Sequence, residues 1–303
     1  MSSIVAEFSK ELSGFAEGAE RSVLAVWARH RLPSSGIYWR QGVVVTAEHA
    51  VKRDDEISIL LGQGKKTVAK LAGRDRVADI AVLKVEDSND VAVPAFTDSS
   101  SLKLAQIVLA LGRTRTGNLV ASAGIIGGLS EQTSTGRSVR IDRNIRLDLR
   151  LYPGFSGGPL LGSDGKIVGM NTNGLGRGRP ITIPVSTVDR TVNEILEKGY
   201  IARPYLGVAV QPVILPDSLR TKVRPGTRGG LMVLHVESGG PADKAGILMG
   251  DTIVELSGKP ALDLEDLHDL LSFTKAGESL EAAIIRSNTV LQVKLTVGER
   301  PAR

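Results

Sequence analysis

Between residues 21 and 185 the chain alternates short apolar runs with clusters of Gly, Asn, Asp and Ser. The runs are rich in β-branched side chains, and they fall at residues 43–45, 57–61, 80–83, 107–111 and 167–170. This spacing is typical of the strands of an all-β barrel or sandwich. The length of the segment fits a pair of six-stranded barrels, and Ser163-Asp164-Gly165 predicts a tight hairpin turn within it.

Two other segments have helical periodicity. Phe8, Leu12 and Phe15 are spaced i, i+4 and i+7, which predicts an amphipathic helical arm near the N-terminus. The segment 186–189, Ser-Thr-Val-Asp, has the pattern of a capping box and predicts the start of a second helix. Gly199 is expected to end that helix.

A second unit of mixed pattern follows. Asp263 is expected to cap a leucine-rich helix that ends near Gly277, and the runs 281–286 and 290–297 predict a closing hairpin. We therefore predict five parts: an arm (1–20), a β domain (21–198), a linker (199–204), a second domain (205–298) and a tail (299–303).

Composition limits the class of protein. The 303 residues allow two domains, and 42% hydrophobic and 23% charged residues are ordinary for a globular protein. The absence of cysteine excludes disulfides, a thiol nucleophile and cysteine-bound metals. No apolar run reaches the roughly 18 residues of a transmembrane helix. The N-terminus lacks the profile of a secretory signal, which by itself predicts a cytoplasmic location.

The chain is basic, with a formal net charge of +5 and a pI near 9.4. Such a charge suits nucleic acid or an anionic membrane as a partner. The Lys and Arg residues are scattered, however, and no basic helix or aromatic stripe accompanies them. We therefore favour an ordinary basic surface without nucleic-acid binding, and nucleic-acid association stays an alternative that rests on the pI alone.

The strongest chemical signal is a serine in a glycine-rich turn, Pro153-Gly154-Phe155-Ser156-Gly157-Gly158-Pro159. Glycines allow backbone N–H groups to face a ligand, and a serine beside such donors suits acyl transfer. Upstream, His49 follows one apolar run and Asp79 precedes another. Histidine is the side chain suited to remove the serine proton near neutral pH.

These motifs resemble those of the HtrA/Deg branch of chymotrypsin-type serine proteases. The matching sequence motifs are Thr-Ala-Glu-His-Ala at 46–50, Asp-Ile-Ala-Val-Leu-Lys-Val at 79–85 and Gly-Phe-Ser-Gly-Gly-Pro-Leu at 154–160. The chain order His, Asp, Ser is also that of the chymotrypsin type. The resemblance implies a mainly β fold with a chymotrypsin-like double β-barrel.

The resemblance also implies roles for individual residues. His49 would be the base, Asp79 would fix its tautomer, and Ser156 would be the nucleophile. The N–H groups of Gly154 and Ser156 would form the oxyanion hole, without metal or organic cofactor. Structural roles are favoured for the other three histidines, because none combines a leading apolar strand with a downstream aspartate: His30, His235 and His268.

The chain departs from the family pattern near the nucleophile. Phe155 stands where the family usually has Asn, which bears on how easily the loop from Arg150 to Ser156 changes conformation. Arg150 stands where relatives have a small residue, so it either selects an acidic substrate residue or points to solvent. We favour solvent, because a buried unpaired guanidinium is costly. Leu151 is expected to shorten the specificity pocket.

The second unit resembles a PDZ domain. The words Gly-Pro-Ala-Asp-Lys-Ala-Gly-Ile at 240–247 and Gly-Asp-Thr-Ile-Val at 250–254 carry this resemblance, with Ser257 in place of the usual Asn. The resemblance implies that a peptide C-terminus binds at the loop Tyr205-Leu206-Gly207-Val208, where it would add as a strand.

Together these resemblances imply an HtrA-type endopeptidase for exposed apolar segments of misfolded or regulatory proteins, with a PDZ domain that binds C-terminally exposed polypeptides. A homo-oligomer, in particular a trimer, and an exported location are common in the family. The alternative function is a peptide-binding or holding scaffold whose triad is latent.

Overall fold

The structure is a computed structural model that describes residues 3–29, 32–61, 64–86, 91–134, 140–175 and 179–301. The chain forms two compact units: nearly all of the chain up to Ile201 belongs to the first, and the chain from Ala202 onward belongs to the second. His30 lies outside the described residues. Within those ranges, no helix is both long enough and apolar enough to cross a membrane.

The chain starts with helix α1 (Ile4–Ala19), as the apolar spacing predicts. The Ser3 hydroxyl accepts the Ala6 N–H and caps its first turn. Ile4 and Val5 are exposed, whereas the ring of Phe15 lies against Gly165 in the first unit. The second half of the helix therefore packs on its own domain, while its first turn presents apolar side chains to solvent.

The first six strands close into a barrel in the order β1-β2-β3-β6-β5-β4. All neighbouring pairs are antiparallel, and the barrel is filled by fully buried side chains such as Leu24, Tyr38 and Leu83. The strands are β1 (Val23–Trp27), β2 (Ser34–Arg40), β3 (Val43–Ala47), β4 (Ile57–Leu60), β5 (Lys66–Asp75) and β6 (Ile80–Val85).

The next six strands form a second closed barrel, in the order β10-β11-β12-β9-β8-β7. They are β7 (Ile107–Arg113), β8 (Leu119–Ser134), β9 (Arg140–Asp148), β10 (Pro159–Leu161), β11 (Ile167–Thr172) and β12 (Ile181–Pro184). The predicted mainly β fold with two barrels is confirmed. The turn at Ser163-Asp164-Gly165 joins β10 to β11, with Gly165 at φ +73°.

Helix α2 (Val185–Lys198) ends the first unit, and its predicted capping box is wrong. The N-cap is Pro184, which has no side-chain cap, because the helix continues directly from β12. Thr187 is already helical and accepts the Asp142 N–H at 3.1 Å, while Asp189 accepts the Trp39 ring N–H at 2.5 Å. The helix end is as predicted, since Gly199 adopts the left-handed conformation at φ +83°.

The second unit is an antiparallel sheet in the order β14-β15-β16-β18-β19, with β17 on β16 and a separate β13–β20 pair. The Asp263 capping box is confirmed, but α5 ends at Ser272, well before Gly277. Its elements are β13 (Ala202–Tyr205), β14 (Val208–Ile214), α3 (Asp217–Arg220), β15 (Gly229–Val236), α4 (Pro241–Lys244), β16 (Thr252–Leu256), β17 (Lys259–Pro260), α5 (Leu264–Ser272), β18 (Ser279–Arg286), β19 (Thr289–Thr296) and β20 (Gly298–Pro301).

The predicted closing hairpin is present as β18 and β19. The segments predicted as linker and tail contain regular structure, because β13 and β20 pair from Ala202↔Pro301 to Tyr205↔Gly298. This pairing fixes the backbone directly before the loop 205–208.

Candidate active site

The fold brings His49 and Asp79 together at the ends of two paired strands. β3 and β6 are antiparallel neighbours, and Ala47 lies opposite Ile80. His49 follows Ala47 in a single 3-10 turn, and Asp79 precedes Ile80, so both lie at the same end of the first barrel. Pairing of the two apolar runs thus places the two polar side chains next to each other.

The imidazole and the carboxylate are closely paired. His49 Nδ1 lies 3.0 Å from Asp79 Oδ1 and 2.9 Å from Oδ2, and the His49 backbone N–H also donates to Oδ1 at 2.8 Å. Asp79 is buried, with φ +57° in the left-handed region. Because a carboxylate only accepts, Nδ1 carries the proton in this pair, and in a neutral imidazole Nε2 is then the acceptor.

Two residues that the sequence did not single out complete this pair. The Thr172 hydroxyl donates to Asp79 Oδ2 and accepts the Gly174 N–H at 2.8 Å. A Cβ at position 174 would lie 2.5 Å from Asp79 Oδ2 and 2.8 Å from His49 Nδ1. Glycine is therefore the residue that fits against the pair, and Thr172 holds Oδ2 of the carboxylate.

Ser156 lies in the turn before β10 and is 8% exposed. Within the described residues, its hydroxyl has one hydrogen bond, from the Asn173 N–H at 3.4 Å, and none to His49. Segment 172–174 thus contacts all three predicted residues: Thr172 binds Asp79, Asn173 binds Ser156, and Gly174 packs on His49.

The backbone around Ser156 leaves two N–H groups open. Phe155 N–H donates to Tyr152 O at 3.1 Å, and Gly157 N–H donates to Asn171 O at 2.9 Å. In the part of the chain that the structure describes, the N–H groups of Gly154 and Ser156 have no acceptor. Gly154 adopts φ +103°, which favours glycine. The turn therefore presents two free donors beside the serine.

The residues preceding the turn divide between core and surface. Phe155 is 1% exposed in the core of the second barrel, and Leu151 is buried in the same cluster. Arg150 is exposed, with its guanidinium carbon 5.0 Å from the Tyr152 ring centroid. Phe155 thus anchors the turn to the barrel, and Arg150 lies on the solvent side of Tyr152.

A separate groove lies in the second unit, with a volume of about 500 Å³. It is lined on one side by the predicted loop from Tyr205 to Val208 and on the other by α5 residues Leu267, His268 and Leu271. His235 also lines it, so both His235 and His268 border the groove; the structural roles favoured for them stay predictions.

The loop 205–208, which lines this groove, has backbone N–H groups that can donate hydrogen bonds to a ligand. The Leu206 and Gly207 carbonyls accept the N–H groups of Ala242 and Glu237, at 2.9 and 2.8 Å. Among the described residues, the N–H groups of Leu206 and Gly207 have no acceptor. β14 follows at the edge of the sheet, so its outer side can pair with an added strand.

Comparison with known proteins defines the class first. Residues 34–170 match the family described as trypsin-like peptidase domain, and residues 204–297 match the PDZ domain family. In solved structures, the chain resembles an HtrA-type protease, AlgW, with tripeptide, at TM-score 0.73 and 25% identity over 96% of this chain and 98% of that one. The serine endoprotease from Yersinia pestis shares the fold, at TM-score 0.73 and 24% identity over 95% and 97%.

Curated relatives define the family. "Serine protease Do-like HtrA" of Lactobacillus helveticus and of Bacillus subtilis are both 32% identical to this chain, covering 84% and 85% of it. A "probable periplasmic serine endoprotease DegP-like" of Rhizobium meliloti is 29% identical over 90% of the chain. The chain belongs to the HtrA family of serine proteases, with one trypsin-like domain and one PDZ domain. It spans 65%, 60% and 55% of the length of these three relatives.

Proposed function

We propose that the chain is a serine endopeptidase of HtrA type in which His49, Asp79 and Ser156 form the catalytic triad. The observation that carries the proposal is segment 172–174, whose three successive residues contact the carboxylate, the hydroxyl and the imidazole. These contacts bring the three side chains to one place in the first unit, as the groups of a catalytic triad must be.

Each group has a step in the reaction. His49 Nε2 takes the Ser156 proton as Oγ attacks the peptide carbonyl, and Asp79 stabilises the imidazolium that forms. The carbonyl oxygen becomes an oxyanion that accepts hydrogen bonds from the free N–H groups of Gly154 and Ser156. His49 then protonates the leaving amine, and water repeats the sequence on the acyl-enzyme.

Substrates of this site are exposed apolar segments of misfolded or regulatory proteins, cut after a small or medium aliphatic residue. The burial of Leu151 and the exposed position of Arg150 support an apolar pocket without a charged floor. A peptide-library profile tests this preference. Enrichment of Ala, Val, Leu or Ile that persists in Arg150→Ala supports it, and a dominant Asp or Glu signal that disappears in that variant contradicts it.

The PDZ domain captures the free C-terminus of a polypeptide. The open N–H groups of Leu206 and Gly207 and the edge position of β14 support this assignment, since they can bind a carboxylate and pair with an added strand. Tyr205 and Val208 flank these donors and line the groove.

The proposal also covers the domain bounds, the oligomeric state and the cellular compartment of the protein. We place the protease domain at 21–198 and the PDZ domain at 205–298, with a homotrimer assembled through the N-terminal arm, whose Ile4 and Val5 are exposed. Analytical ultracentrifugation with and without residues 1–20 tests the assembly. Of the two locations expected from the sequence, the periplasmic names of relatives favour export over the cytoplasm; cell fractionation distinguishes them.

The test of the enzymatic proposal is casein degradation by the purified protein beside Ser156→Ala, with labelling by a fluorophosphonate. Turnover and labelling that both disappear in the variant support the triad. The holding scaffold with a latent triad is the second candidate, because the Ser156 hydroxyl bonds to Asn173 rather than His49. It predicts peptide binding without turnover or labelling.

A further inference from the structure

Ser35, on strand β2 of the first barrel, is bonded to the turn that carries Ser156. Its side chain is fully buried, and its hydroxyl lies 2.7 Å from Gly154 O and 2.8 Å from Arg113 N. Its own backbone N–H donates to Ser156 O at 3.1 Å. One residue thus holds two carbonyls of the turn, separated from it by more than a hundred positions in sequence.

The direction of the Ser35 hydroxyl proton follows from its partners. A backbone N–H can only donate and a carbonyl can only accept. The Arg113 N–H therefore donates to Ser35 Oγ, and the hydroxyl proton points to Gly154 O. Arg113 is itself held firmly, because its buried guanidinium donates to the carbonyls of Glu20, Val23 and Gly117 at 2.7 to 3.0 Å.

The bond from Ser35 fixes a whole peptide group. The Gly154–Phe155 peptide is held at its oxygen by Ser35 and at its N–H by Tyr152 O. A peptide group is planar and turns as a unit. This one lies between the Gly154 N–H and the Ser156 N–H, so its orientation sets the relative direction of the two free donors.

We propose that Ser35 is a positioning residue for peptide-bond hydrolysis, whose hydroxyl orients the Gly154–Phe155 peptide so that the N–H groups of Gly154 and Ser156 converge on one oxyanion. The inference rests on the proposed function, because it assigns no role to Ser35 outside acyl transfer. Among the described residues, Ser35 has no hydrogen bond to His49 or Asp79, so its effect on the reaction passes through the turn.

The adjacent residue supplies a matched control. Ser34 is also buried, and its hydroxyl lies 3.3 Å from Thr46 Oγ1. The Thr46 hydroxyl donates to Ser35 O, so Ser34 is the donor to Thr46. Ser34→Ala and Ser35→Ala each remove one buried hydroxyl from the same strand, so general damage to the barrel affects both. Only Ser35→Ala removes a bond to Gly154.

The experiment measures kcat and KM for an unfolded protein substrate and the rate of fluorophosphonate labelling, whose phosphoryl oxygen enters the same hole as the serine displaces fluoride. For Ser35→Ala we expect kcat and the labelling rate to fall by about 10- to 100-fold, somewhat less than the roughly 10²- to 10³-fold loss for deleting an oxyanion donor itself. KM should stay within about 2-fold, and so should every constant of Ser34→Ala.

Ser35→Cys keeps a weak donor on a somewhat larger side chain, so we expect rates between those of the unmodified protein and Ser35→Ala. Thermal unfolding shows whether Ser35→Ala folds. If it does not, the rates of Ser35→Cys test the role of the hydroxyl instead. Equal losses in Ser34→Ala and Ser35→Ala, or no loss in Ser35→Ala, overturn the inference while the triad stands. Absence of turnover and labelling in the unmodified protein overturns the proposed function and the inference together.

Discussion

At the scale of single residues, the Asp79 carboxylate receives three donors: the His49 ring N–H, the His49 backbone N–H and the Thr172 hydroxyl. A carboxylate has two accepting oxygens and can satisfy all three. An amide has only one accepting oxygen, and its NH₂ group would face a donor. Both accepting oxygens of the carboxylate are therefore used.

We expect Asp79→Asn to lower kcat by about 10⁴-fold, because the amide NH₂ forces the imidazole into the tautomer that carries the proton on Nε2. Initial rates on an unfolded protein substrate check this. The control is Asp54→Asn, which changes an exposed carboxylate on the same barrel and should keep the rate. Activity of Asp79→Asn near that of the unmodified protein would exclude Asp79 from the triad.

The backbone of Ser257 lies in the strained left-handed region. It has φ +47° in the two-residue turn between β16 and β17, where relatives of the PDZ family carry Asn, and it is exposed. The left-handed conformation costs roughly 1–2 kcal/mol for most residues and less for Asn. We expect Ser257→Asn to raise the free energy of unfolding of the PDZ domain by about 0.5 kcal/mol.

Urea unfolding of the full chain, followed in the PDZ domain, measures this gain. Ser287, at φ +45° in the turn between β18 and β19, provides a second instance, and Ser287→Asn should stabilise as well. Ser218→Asn in helix α3 has no left-handed backbone to relieve and is the control. A gain that is equal at all three positions would exclude backbone strain as its cause.

At the scale of elements, the sequence predicted best where a signal is local. The turn at Gly165, the helix end at Gly199 and the capping box at Asp263 are each decided within a few residues. The motifs that predict His49, Asp79 and Ser156 as a triad are equally local. The start of α2 was misjudged because Ser186 and Asp189 fit a local pattern, whereas tertiary packing uses Asp189 to bind Trp39, 150 positions away.

Thr172 and Ser35 could not be found from sequence for the same reason. Both are hydroxyl residues within or at the end of buried strands, and their decisive partners lie 93 and 119 positions away. The packing of the two barrels against each other creates these contacts, and no short motif encodes them. Gly174 has a stricter role, because a Cβ there would meet the His49–Asp79 pair, but one glycine among 34 carries no signal of its own.

The PDZ domain contains an ion pair between the buried Asp251, in the loop before β16, and the partly exposed Arg286 at the end of β18. Asp251 accepts two hydrogen bonds from Arg286, at 2.8 and 2.7 Å, and one from the Leu248 N–H at 2.7 Å. Burial alone raises the pKa of Asp251, but the hydrogen bonds from Arg286 and Leu248, with the Arg286 charge, outweigh it and hold the pKa below its usual value.

A lowered carboxyl pKa in the folded state stabilises the fold above the unfolded value, about 3.9, and this contribution is lost as the pH falls through the folded value. We therefore expect the urea midpoint of the PDZ domain to drop as the pH is lowered below about 4. Asp251→Asn should lose stability at neutral pH and show a flatter acid dependence. Glu265→Gln, at an exposed position of α5, should keep the acid dependence of the unmodified protein, and equal slopes in all three proteins would contradict the assignment.

At the scale of the whole molecule, the proposal combines a hydrolytic site in one domain with a peptide groove in another. The groove ends at the loop whose Leu206 and Gly207 N–H groups are open, and Arg300 stands beside that loop. The Arg300 guanidinium stacks on Tyr205, 4.3 Å from the ring centroid, and pairs with Glu237. Strand β20, most of which the sequence predicts as tail, thus contributes a cation to the lining of the groove.

A peptide with a free, apolar C-terminus should therefore bind the full-length protein much more tightly than the same peptide with an amidated end, because an amide offers the loop N–H groups no charged acceptor.

The Arg300→Gln variant should weaken binding of the peptide acid more than binding of the peptide amide. The ratio of the two dissociation constants should therefore be smaller in this variant than in the unmodified protein. Arg224→Gln removes a guanidinium of the same domain that bonds to Gly258 O outside the groove, so it should preserve the ratio. Fluorescence anisotropy with both peptides on Ser156→Ala protein, which cannot consume them under the proposed mechanism, measures the two constants. Equal affinity for acid and amide would exclude carboxylate capture by the loop, and an unchanged ratio in Arg300→Gln would limit the recognition to the backbone.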